Sequence, residues 1–125
     1  MIRNKTGLFF IFLMLSCLLV SGAAKDPQAS GSQIFSGEIT DTICAEYRGH
    51  QHMMQEMKSM GTDKASCTEK CIQLGAKYAL YDAARQTVYG IEDQDKVKVF
   101  AGRQVQITGI LNKKKIKVSE IKATD

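Results

Sequence analysis

Apolar residues follow three regimes along this chain. From 7 to 20 they are nearly continuous, over 50–60 they recur at helical spacing, and elsewhere they alternate with polar residues in short runs. Alternation every second residue is the mark of a half-buried strand. Residues 34–40 read as the first, with Phe35 and Ile39 on one face and Glu38 on the other. Residues 77–81 and 87–91 read as the second and third, joined by a turn at 82–86. Over 104–108 the alternation is strict, with Val105 and Ile107 inward and Gln104, Gln106 and Thr108 toward water. Ile116 and Val118 repeat it in a fifth strand after a turn at Asn112-Lys113. Such half-buried strands are expected to pair antiparallel.

Two segments interrupt the strands. Ser66-x-x-Glu69 reads as a capping box opening a helix that Gly75 closes. Residues 95–101, ended by Gly102, read as a short helix between the third and fourth strands. The expected fold is therefore mainly β with short helices (α+β): a small five-stranded barrel of the oligonucleotide/oligosaccharide-binding (OB) type. A helical, cysteine-bearing insertion separates strands 1 and 2, beside the usual ligand face of such barrels. An α+β sandwich with the same elements is the alternative.

The continuous apolar run has a different meaning. Arg3 and Lys5 precede it and Ser21, Gly22, Ala23 and Ala24 follow, so residues 1–24 read as a secretory signal peptide rather than a membrane span. Cys17 sits within it, but Met14-Leu15-Ser16 is a poor lipobox, so no lipid anchor is expected. Residues 25–33 read as a flexible tether and 34–125 as one domain. Without Arg3 and Lys5, the 17 basic residues fall to 15 against 13 acidic, a net charge of +2. No nucleic-acid partner is implied. The run Lys113-Lys114-Lys115 with Lys117 reads as a solvated hairpin tip. The expected location is periplasmic or secreted, with no membrane span in the mature form.

Chemistry concentrates between Cys44 and Cys71. This stretch holds three of the four cysteines, both histidines and four of the six methionines. On a helix over 50–60, at 100° per residue, His50, Met53, Met54, Met57 and Met60 share an arc of about 120°, and His52 lies opposite. A methionine stripe at this spacing is how any amphipathic helix packs on a core. Cys67 and Cys71, four apart, share a helix face with Leu74. In an exported domain three cysteines are an odd number.

Cys67 and Cys71 can be small buried hydrophobes, since free cysteine is often fully buried, and three further readings follow. Cys44, His50, Cys67 and Cys71 can bind zinc or copper, with methionines 53, 54 and 57 as further donors only for Cu(I). Alternatively Cys44 pairs with Cys67 or Cys71 in a disulfide and the third thiol is buried, giving a structural module that contacts an envelope protein or glycan. Thiol redox chemistry is the third, without a CxxC to support it. Asp41 reads as a cap at the strand exit, or as an acceptor orienting a ligating histidine. No catalytic constellation is recognised, so a non-enzymatic binding domain is expected.

GEITDTIC at 37–44, His50, Cys67 and Cys71, GAKYALYD at 75–82, VYGIEDQDK at 88–96, FAGRQVQITGIL at 100–111 and IKVSEI at 116–121 together resemble a family of small exported bacterial domains of unknown function. The resemblance spans nearly the whole mature chain. It implies an OB-like or related small β-barrel, with the same residue types at positions 44, 50, 67 and 71, and no activity or substrate.

Overall fold

The computed structural model describes residues 31–47 and 49–125. The expected signal peptide, Cys17 and most of the tether lie outside the described residues. Five strands form one mixed sheet: β1 (Gln33–Asp41), β2 (Tyr78–Asp82), β3 (Thr87–Ile91), β4 (Gln104–Asn112) and β5 (Lys115–Ala123). Strand pairing runs β1-β2-β3-β5-β4 and returns from β4 to β1, so the sheet closes on itself.

The expectation of purely antiparallel pairing is corrected at one seam. β3 and β5 run parallel, Gly90 opposite Lys115 and Ile91 opposite Ile116. A closed ring with an odd number of strands cannot alternate direction all the way round, so at least one parallel neighbour is a geometric necessity. The connection between β3 and β4 allows it: α4 (Gln94–Val97) and a 3₁₀ turn, Lys98–Phe100, occupy the short helix expected there.

The expected inward residues form the core inside the ring. Phe35, Ile39, Val105, Ile107, Ile116 and Val118 are buried together with Tyr78, Leu80, Ile91 and Val97. β4 and β5 run well beyond the alternating residues that announce them, and their hairpin turns at Lys113 and Lys114, both with positive φ (45° and 63°). This is the twist-matched two-residue turn, made here without the usual Asn-Gly signal. All three lysines of the run are exposed.

Between β1 and β2 lie α1 (Thr42–Glu46), α2 (His50–Glu56), a 3₁₀ turn at Lys58–Met60, and α3 (Lys64–Gln73). α3 begins three residues earlier than the Ser66 box predicts. Asp63 is the cap: its carboxylate accepts the Ser66 N–H at 2.9 Å, and Ser66 Oγ accepts the Asp63 N–H at 3.3 Å. Gly75, at φ +99°, closes the helix as expected. Leu74 does not share the cysteine face. It caps the C-terminus and is exposed, while Ile72 packs against both the sheet core and a second cluster. That second cluster is Cys44, Met53, Met60, Cys67, Cys71 and Ala76.

Candidate metal centre

Three separate helices supply the site. β1 ends at Asp41, whose Oδ1 accepts the Cys44 N–H at 2.8 Å and so caps α1. This is the capping role that the strand exit suggests, and it fixes Cys44 within the first turn, pointing inward. Cys67 and Cys71, one turn apart on α3, face the same interior. Cys44 Sγ lies 3.5 Å from Cys67 Sγ and 3.6 Å from Cys71 Sγ, and all three residues are fully buried.

Neither separation is that of a disulfide, whose sulfurs lie about 2.05 Å apart; the three cysteines are free thiols. Four-coordinate zinc with Zn–S bonds of 2.3 Å would hold its sulfurs about 3.8 Å apart. The two separations from Cys44 are within a few tenths of an ångström of that, and all three sulfurs lie within 4.8 Å of one another. Burial pushes all three thiols up, Cys71 to about 11. For Cys44 the neighbouring Asp41 carboxylate adds to the effect. These thiols are therefore protonated at neutral pH.

His50 stands beside this triangle rather than within it. Its donor atom falls within 4.8 Å of ligand atoms of Asp41 and Cys44, a trio distinct from the three sulfurs but sharing Cys44. The first residue of α2, it is buried, with Nδ1 2.9 Å from Glu38 Oε1 and Nε2 2.8 Å from Thr68 Oγ1. Thr40 Oγ1 lies 3.4 Å and Asp41 Oδ2 3.9 Å from the same Nε2. Burial opposes ionisation of Glu38, but hydrogen bonds from His50 and Lys64 outweigh it and hold the carboxyl below its ordinary value. An ionised carboxylate only accepts, so Nδ1 must donate to it. In the neutral ring that leaves Nε2 as the acceptor of the Thr68 hydroxyl, with Asp41 Oδ2 and the Cys44 thiol nearby. A histidine oriented by a carboxylate through its far nitrogen is a recurrent feature of metal sites.

The division of the remaining soft donors is clear. His52 is on the outer face of α2, paired with Glu56 at 3.2 Å. Met53 and Met60 are buried in the cysteine cluster, Met54 is half-buried, and Met57 is exposed. Glu38, Thr68 and Lys64 are the residues that sequence reasoning missed. Glu38 was placed on the polar face of the first strand, where alternation reads as solvent. The insertion folds over that face and leaves it 8% exposed. No local signal in the sequence marks that covering.

A cleft of about 460 Å³ opens at this point, lined by Glu38, Thr40, Ala45, Gly49, His50, Gln51, Lys64 and Tyr81. It lies against β1, β2 and the insertion, and His50 belongs both to its lining and to the trio with Asp41 and Cys44. No helix among the described residues is long and apolar enough to cross a membrane. Comparison of the chain with protein-family models, with curated proteins and with solved structures returns no match.

Proposed function

We propose that this chain is an exported, non-enzymatic binding domain built on an OB-like barrel, whose insertion binds a thiophilic metal, zinc or Cu(I). Cys44, Cys67 and Cys71 supply thiolates and His50 Nε2 a fourth donor. The observation that carries this reading is the convergence of three fully buried free thiols, with Cys67 Sγ and Cys71 Sγ both within 3.6 Å of Cys44 Sγ. Packing alone would be served equally well by alanine or valine, and it gives no reason to point three thiols at one another. The order of strands and helices, and the closure of β4 onto β1, support the OB-like assignment. The leader pattern at 1–24 supports export, and the resemblance to small exported domains agrees with both.

Zinc and copper make different demands on these donors. Zn²⁺ takes four ligands and needs His50 to close on the triangle, whereas Cu(I) is satisfied by soft sulfur. Elemental analysis and thiol titration of protein purified from periplasm, after growth with each metal, test the reading. One ion per chain with three titratable thiols on its removal is the expected result. No metal together with two oxidised thiols would establish instead the disulfide-stapled envelope module, with Cys44 joined to Cys67 or Cys71.

A further inference from the structure

A buried triangle of thiols presents a kinetic problem. Cys44, Cys67 and Cys71 are completely inaccessible to solvent, and a hydrated cation cannot cross an apolar shell to reach them. The cleft that His50 lines, together with Glu38, Thr40, Gln51 and Lys64, brings polar side chains to the edge of this cluster. Behind His50 lies Asp41, fully buried. One of its oxygens is used by the α1 cap, while the other, Oδ2, has no hydrogen-bond partner. A buried carboxylate oxygen left unpaired is costly. This one faces His50 Nε2 at 3.9 Å, within a trio completed by Cys44.

We propose that Asp41, Cys44 and His50 form a transit position through which the metal passes between the cleft and the three-thiol centre; this rests on the metal-binding reading above. The donors are ordered for such a passage. His50 lines the cleft and offers the first nitrogen. Asp41 Oδ2 neutralises the ion as its waters are stripped. Cys44 belongs to both trios, so the ion exchanges the Asp41 oxygen for sulfur without ever leaving that thiolate. Protons displaced from the thiols leave to bulk water with the ion's own waters. Glu38 contributes by fixing the ring so that Nε2 faces inward.

Stopped-flow mixing of the full mature chain with Co²⁺ tests this, because thiolate–cobalt charge-transfer absorption reports sulfur ligation directly. D41N keeps an acceptor for the α1 cap but loses the charge. It is expected to slow the appearance of the band at least tenfold, with its final intensity and one-to-one stoichiometry unchanged. D41E should restore the rate. Q51W, at an exposed position lining the cleft, should slow loading comparably with its final intensity unchanged, which keeps the test decisive if D41N does not fold. The exposed H52Q should match wild type. Wild-type loading rates in both D41N and Q51W would overturn the transit position. So would a lower final intensity in D41N, since Asp41 would then be a resident ligand. A wild-type chain that develops no band with Co²⁺, Zn²⁺ competition or Cu(I) would instead refute the metal centre itself.

Discussion

His50 Nδ1 and Glu38 Oε1, 2.9 Å apart, tie the first residue of α2 to the middle of β1 through two buried side chains. Lys64, from the first turn of α3, binds the other oxygen of the same carboxylate. One glutamate therefore joins the sheet to two helices of the insertion and sets which ring nitrogen faces the sulfurs. Glu38→Ala frees the ring to rotate without touching any thiol. Metal affinity should fall about 10- to 100-fold, the usual cost of losing such a partner. Competition against a chromophoric chelator measures this. Retention of wild-type affinity would show that His50 is held by Thr68 alone or is not a ligand.

The thiols give a pH dependence whose sign differs between the empty and the loaded protein. Burial raises Cys44, Cys67 and Cys71 above their ordinary value of 9.0. In the unfolded chain these thiols ionise near 9, while the folded chain still holds their protons. The metal-free domain therefore keeps its full stability below about 9 and loses it as the pH rises toward the folded value of about 11 for Cys71. Metal binding runs the other way, because it must expel those protons, so affinity should climb from pH 6 to 9. Calorimetry in buffers of different ionisation enthalpy should find close to three protons released per ion. Release of one or none would mean that the thiols are not the ligands.

Burial separates the methionines that the helical stripe groups together. Met53 is completely inaccessible, and Met57, on the same predicted arc, is 38% exposed because α2 ends at Glu56 and the chain continues as a 3₁₀ turn. Met53→Ala should cost about 2–5 kcal/mol through the cavity it leaves. Met57→Ala should stay within about 0.5 kcal/mol. Urea denaturation of the two variants tests the contrast. If both are neutral in stability while copper binding weakens, methionine sulfur is acting as a ligand rather than as packing.

Local rules carried much of the fold. Val105, Ile107, Ile116 and Val118 are legible because a strand half buried on one face must alternate, and Phe35 and Ile39 follow the same rule. The cysteines and His50 stand out by chemical type alone. What could not be read were relations made by distant segments. Glu38 looks solvated until α2 and α3 cover it. Asp63 competes with Ser66 for the cap and takes it: Asp-x-x-Ser satisfies both backbone groups, while Glu69 accepts from the Tyr78 hydroxyl instead. Leu74 fits the cysteine face on a helical wheel, but the helix has already ended there. The parallel seam between β3 and β5 is a property of the closed ring and of no single strand.

Gly102 links the sheet to the thiol centre at a distance. Its N–H donates to Ile39 O at 2.8 Å, and its φ is +74°. A Cβ there would lie 2.7 Å from Ala65 N and 2.8 Å from Lys64 Cβ, inside the first turn of α3. Gly75 also has positive φ, +99°, but a Cβ there meets nothing within 4 Å. Alanine at either position strains the backbone, at a cost of about 1 kcal/mol or more. Only at Gly102 must α3 also move, and α3 carries Cys67, Cys71 and Lys64. Gly75→Ala should therefore lower stability and leave metal affinity intact, whereas Gly102→Ala should lower both, affinity by at least tenfold. Parallel thermal melts and cobalt titrations of the two variants measure the difference. Equal affinities would mean that the sulfur triangle does not depend on how the first turn of α3 docks against Gly102.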